Sequence, residues 1–157
     1  MKRLSSICAT VSAAVFVVAL ASAQTRTTHV AGNIHLITGV GGNVVASVGD
    51  SGVMLIDTGE AGATEELLAA IGELSDGTIQ YVINTSVSPN HLGGNFDVRA
   101  AGDTFTGGHA TVVAGVDEGA EVIGHENALL RLSSEGVPLD RVPTDTVVGS
   151  KLGQYFT

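Results

Sequence analysis

The chain has 157 residues, a net charge of −9 and a single cysteine, Cys8. Seven Lys and Arg against 16 Asp and Glu supply no concentrated positive charge for phosphates, so nucleic acid is excluded as an expected partner. The absence of tryptophan and an aromatic content of 4% also argue against a stacking platform for bases or sugars.

The N-terminus has the three parts of a cleavable secretion signal: Met1-Lys2-Arg3, an uncharged run from Ala9 to Leu20, and the small residues Ala21-Ser22-Ala23. The apolar run is shorter than the ~20 residues a membrane span needs, so cleavage after Ala23 is expected, with no stable membrane anchor. Residues 24–157 then form one modest domain, periplasmic or secreted. Without the signal, five Lys and Arg stand against the same 16 acids, a net charge of −11 that favours solubility. Cys8 precedes the apolar run instead of closing it, so it is not read as a lipid anchor. The mature chain therefore has neither disulfides nor thiolate ligands.

Along the mature chain, Val30 to Ile37 reads as a strand, Gly39 to Asn43 as a glycine-rich turn, and Val44 to Val48 as a returning strand. Gly49-Asp50-Ser51-Gly52 turns into Val53-Met54-Leu55-Ile56, which ends at Asp57-Thr58-Gly59 and completes a three-stranded meander. Thr64-Glu65-Glu66 opens a helix whose Leu67, Leu68, Ile71 and Leu74 make one apolar face, its early acids favoured by the helix dipole. Asp76-Gly77 breaks it, and Ile79 to Ile83 forms a buried strand. Asn84 to Asn95, with Pro89 and Gly93-Gly94, reads as a loop at that strand's carboxyl end, where α/β proteins place chemistry. A glycine-rich stretch from Gly102 to Gly119, a strand at Glu121-Val122-Ile123 and a helix from about Asn127 to Ser133 follow. In the tail from Gly136 to Thr157 no terminal helix or strand is expected.

Leu55-Ile56-Asp57-Thr58-Gly59, then a helix, then Tyr81-Val82-Ile83-Asn84-Thr85 and Ser86-Val87-Ser88-Pro89-Asn90-His91-Leu92-Gly93-Gly94-Asn95 resemble, in order and spacing, the metallo-β-lactamase superfamily. There a strand "vIDtG" precedes an "NTHxHxDHxGGN" loop. Gly124-His125-Glu126-Asn127 and Val142-Pro143-Thr144-Asp145-Thr146 are similar to segments that follow the loop in secreted members, so the likeness runs from about residue 29 to the end. The resemblance implies an α/β (α+β) fold, a partial αββα sandwich consisting mainly of its N-terminal half, and a zinc-dependent hydrolase ancestry. It also implies that Ser86 and Ser88 stand at histidine ligand positions, Asn90 at the aspartate position, and His91 at the one retained ligand. Asp57 takes a position that braces the metal loop by hydrogen bonds. Zinc takes nitrogen, sulfur or carboxylate donors at ~2.0–2.3 Å and in hydrolases keeps three protein ligands plus a water. Serine hydroxyls and an asparagine amide are poor substitutes, so no bound cofactor is expected.

Other groupings carry less. His29, His35, His109 and His125 show no H-x-H or H-x-x-x-H spacing and read as surface or capping residues, His125 at a helix start. Ser86 or Ser88 with His91 has the composition of a serine nucleophile and base, but not the G-x-S-x-G elbow. Gly39-Val40-Gly41-Gly42-Asn43 leads into no helix that could cradle a phosphate, and Asp117, Glu118 and Glu121 lack a calcium-loop pattern.

Three readings of function stand together. The chain is an exported metallo-β-lactamase-fold protein, truncated and catalytically impaired. Alternatively, it is an active zinc hydrolase completed by unusual ligands or a partner chain, or a noncatalytic binding or assembly module. Half of the sandwich would leave a sheet face uncovered, so a homodimer or a partner chain seated on that face is expected.

Overall fold

The computed structural model describes residues 24–103, 119–138 and 141–147. The expected secretion signal, His109, Asp117 and Glu118 lie outside these residues, as does most of the glycine-rich stretch.

Strands β1 (Arg26–Ala31), β2 (Ile34–Thr38), β3 (Val44–Gly49) and β4 (Gly52–Ile56) make an antiparallel meander. Helix α1 (Thr64–Leu74) then crosses over to β5 (Ile79–Ile83), which lies parallel to β4. Short helices α2 (Pro89–Leu92) and α3 (Asn95–Ala101) follow, then β6 (Glu121–His125), α4 (Glu126–Ser134) and β7 (Asp145–Val147). Among the described residues these strands form one seven-stranded sheet in sequence order, with β5, β6 and β7 mutually parallel.

Three sequence expectations need correction. The strand expected over Val30 to Ile37 is split by a tight turn at Gly32-Asn33, where Gly32 takes φ +56°. The meander therefore has four strands. The segment Asn84 to Asn95 is not wholly loop: Pro89, whose ring pre-sets the first helical φ, opens α2, and Asn95 begins α3. The tail does contribute a strand, because Thr144 locks it to β6: its Oγ1 accepts from the Val122 N–H at 2.9 Å and its N–H donates to the Val122 carbonyl at 2.7 Å.

The alternation of strand side chains divides the sheet into two faces. Val44, Ala46, Val53, Leu55, Val82 and Val122 point to one face and are buried against Leu67, Ala70 and Ile71 of α1 and Val98 of α3. The register between β4 and β5 skips Gln80, which brings Ile79 onto the same face as Val82. A smaller cluster of Leu92, Leu132 and Val142, with Val87, Leu129 and Val137 against it, ties α2 and α4 to the tail. Leu36, Val45, Met54, Ile56, Tyr81, Ile83 and Ile123 point to the opposite face, are half-buried, and belong to neither cluster. Among the described residues no helix is long and apolar enough to cross a membrane.

Candidate functional site

The carboxyl ends of β4 and β5 deliver Asp57-Thr58 and Asn84-Thr85 side by side. The ladder continues one step past each strand: the Asp57 N–H donates to the Ile83 carbonyl at 2.9 Å, and the Asn84 N–H donates to the Ile123 carbonyl at 2.8 Å. Asp57 has φ +63°, a left-handed conformation that costs a non-glycine residue about 1 kcal/mol or more. The turn aims its carboxylate back over the end of β5. There Oδ1 accepts from the Thr85 N–H at 2.8 Å, while Oδ2 accepts from the Thr85 hydroxyl at 2.5 Å and meets His91 Nδ1 at 2.8 Å. The Asp57 side chain is 6% exposed and that of His91 33%, so a buried anion orients a ring that still reaches solvent.

Beneath this pair lies a second polar knot. Asn95 is 1% exposed, and its amide Nδ2 donates to Asn84 Oδ1 at 2.7 Å and to the Arg141 carbonyl at 3.0 Å. Its Oδ1 accepts from the Thr58 hydroxyl at 2.9 Å and from Asn84 Nδ2 at 3.1 Å. The Thr58 N–H in turn donates to the His91 carbonyl at 2.7 Å. One buried amide thus joins the ends of β4 and β5, the start of α3 and the tail. Reading the sequence alone missed this residue. The only available signal was an asparagine following Gly93-Gly94 in the quoted motif.

Close backbone contact explains the glycines around the knot. A Cβ on Gly94 would come 2.7 Å from the Thr58 carbonyl oxygen, and one on Gly93 would come 2.6 Å from the Ala61 backbone nitrogen. A Cβ on Gly42 would overlap the Asn90 carbonyl oxygen, so the glycine-rich turn between β2 and β3 seats the loop instead of cradling a phosphate.

The remaining candidates arrange themselves as follows. The Ser86 hydroxyl donates to the Ser88 hydroxyl at 3.2 Å and accepts from the Ser88 N–H at 3.2 Å. Neither serine hydrogen-bonds His91 among the described residues, so the nucleophile–base contact of a serine hydrolase is not formed. Asn90 is half-buried beside His91. His29 and His35 face each other across β1 and β2 with ring centroids 5.2 Å apart. His125 caps α4, its Nδ1 accepting from the Asn127 N–H at 3.1 Å. Glu121 lies in β6.

The donor set around His91 does not fit a zinc ion. Zinc requires about three protein nitrogen, thiolate or carboxylate donors. Among the described residues no three His, Cys, Asp or Glu side chains converge. Both Asp57 oxygens are already engaged by Thr85 and His91, and the other groups at the loop are neutral hydroxyls and an amide.

No family model matches the sequence, and no curated protein matches it. Solved structures do. A metallo-β-lactamase from Pontibacter korlensis shares 20% identity at a TM-score of 0.60, over 79% of this chain and 53% of its own. The Rm3 metallo-β-lactamase shares 19% at 0.58, over 81% of this chain and 46% of its own. A sec-alkyl sulfatase shares 22% at 0.54, over 72% of this chain and 17% of its own.

Proposed function

From the metallo-β-lactamase fold of this chain, which spans about half the length of the metallo-β-lactamases it matches, we propose an exported relative of zinc-dependent hydrolases that has kept the scaffold and lost the metal chemistry. The observation that carries this reading is the composition of the loop. Ser86, Ser88 and Asn90 stand where the resemblance places two histidines and an aspartate, and His91 alone remains. The hydrogen bonds from Thr85 and His91 to Asp57 need no metal, so the loop keeps its shape without one. Export to the periplasm or beyond is part of the proposal and rests on residues 1–23.

The test is the zinc content of the purified chain after dialysis without chelator, together with hydrolysis of a β-lactam and an ester. The expected result is no stoichiometric zinc and no chelator-sensitive turnover. One or two zinc ions per chain with chelator-sensitive hydrolysis would overturn the reading.

One observation favours a second reading, an active zinc hydrolase completed by a partner chain. Asp57 holds His91 through Nδ1, the arrangement in which a histidine offers Nε2 to a metal and a carboxylate fixes its tautomer. Zinc bound only when a second polypeptide is added would support it.

A further inference from the structure

Strand register resolves the sheet face opposite α1 and α3 into two straight rows. Leu36, Val45, Ile56, Ile83 and Ile123 are direct cross-strand neighbours from β2 to β6. Next to them run Ile34, Ser47, Met54, Tyr81 and Glu121. The apolar members are half-buried and pack into neither apolar cluster. Among the described residues charge is confined to the margins of this face, with Glu121 closing the second row at β6. Arg26 of β1, opposite Thr38, stands at one end, and Asp145 of β7, opposite Ile123, stands at the other; both are exposed.

We propose that a second copy of this chain covers this face, in a symmetric dimer whose two-fold axis runs along β4. Because β4 is the middle strand of the sheet, that axis places β2 of one copy over β6 of the other, and β3 over β5. Leu36 then lies over Ile123 and Val45 over Ile83, with Ile56 over its own counterpart, so the all-apolar row is self-complementary as an isologous contact requires, while the second row sets Met54 over Met54, Ser47 over Tyr81 and Ile34 over Glu121 at its margin. Two sheets packed face to face in this way keep their strands nearly aligned.

Electrostatics favours the same orientation over its alternative. An axis across the strands would put β1 over β1, stacking Arg26 near Arg26 and Asp145 near Asp145. The axis along β4 puts β1 over β7, which brings Arg26 within about two strand residues, roughly 7 Å, of Asp145 of the other copy, the reach of an arginine side chain. Both copies are acidic overall, and the centre of the face carries no charge that would oppose contact. Seven strands at about 4.8 Å and five residues at about 3.3 Å give a face of roughly 500 Å² in projection, the scale of the smaller specific interfaces.

The test is the mass of the chain in solution, by light scattering across a concentration series after expression from Met1, for wild type and three variants. Wild type is expected as a dimer with a dissociation constant of about 1 µM or tighter. Ile56→Glu puts two buried acids opposite one another and is expected to weaken the dimer about 100-fold or more with its circular dichroism unchanged. Arg26→Asp and Asp145→Arg, both at exposed positions, are each expected to weaken it about tenfold, and the double exchange to restore it to within about threefold. A monomer at ~100 µM, a stable complex with a different polypeptide in place of the dimer, or a dimer indifferent to both Ile56→Glu and the charge exchange would overturn the proposal. Because this readout is mass, it fails or stands independently of the zinc content of the loop.

Discussion

The His91 ring nitrogen Nδ1 lies 2.8 Å from Asp57 Oδ2, across a sequence gap that the fold closes by ending β4 and β5 side by side. Asp57 is the more buried partner, and Thr85 supplies two further hydrogen bonds to the same carboxylate. The carboxylate is held by these contacts, and its loss leaves each of them without a partner.

Replacement of Asp57 is therefore expected to destabilise the chain in two separable ways. Asp57→Asn keeps a side chain that tolerates φ +63° but removes the charge facing His91 and Thr85, at about 2 kcal/mol. Asp57→Ala adds the backbone penalty and leaves the Thr85 N–H without its acceptor, at about 3–4 kcal/mol. Urea unfolding of the two variants checks the order. Equal losses would show that the left-handed backbone contributes nothing.

Asn95 carries a sharper expectation because its buried amide makes four hydrogen bonds to protein groups. Asn95→Asp turns the Nδ2 donor that serves Asn84 Oδ1 and the Arg141 carbonyl into an anionic oxygen facing two acceptors. The expected cost is about 3 kcal/mol or more, above that of Asn95→Ala, even though aspartate is the closer mimic in shape. Thermal unfolding of both variants decides it, and an Asp variant more stable than the Ala variant would contradict this arrangement of the amide.

Ser86→His, Ser88→His and Asn90→Asp together give the loop four donors with His91, and the variant is expected to retain about one zinc per chain through dialysis. Adding His91→Ala to that triple variant should lower its zinc affinity at least tenfold. Elemental analysis and a competition titration read both. Failure of the triple variant to bind would mean that the loop backbone no longer holds these positions in convergence.

The sequence disclosed the parts of the fold whose burial is one-sided or complete. The apolar run Val53 to Ile56, the strand Ile79 to Ile83 and the face of α1 were each visible because a buried strand or an amphipathic helix must carry that pattern. β1 was not visible as a separate strand because Thr27, Thr28 and His29 lie at the sheet edge, where no apolar alternation is needed. β7 was missed for a related reason. Its three residues hold their place through Thr144 and the β6 ladder, a tertiary contact that leaves no local period. Within the site, the positions Asp57, Ser86, Ser88, Asn90 and His91 were legible only through a resemblance of motif. The Asn95 knot was legible only as one asparagine after Gly93-Gly94 in that motif, since nothing local distinguishes a buried asparagine from a loop asparagine.

Two glycines of the same chain should respond oppositely to alanine. Gly72 lies inside α1 on its exposed side, and a Cβ there meets nothing within 4 Å. Gly72→Ala removes backbone freedom from the unfolded chain and adds a better helix former, for an expected gain of about 0.5–1 kcal/mol. Gly42, in the turn between β2 and β3, has no such room, because its Cβ would overlap the Asn90 carbonyl oxygen next to His91. Gly42→Ala must push the turn away from the loop, at an expected loss of about 2 kcal/mol. The loss should come with a local signature. In amide hydrogen exchange, protection should fall at the Thr58 N–H, which donates to the His91 carbonyl, and stay unchanged in α1. If Gly42→Ala unfolded at the wild-type denaturant midpoint with that protection intact, the turn would not be what seats the loop.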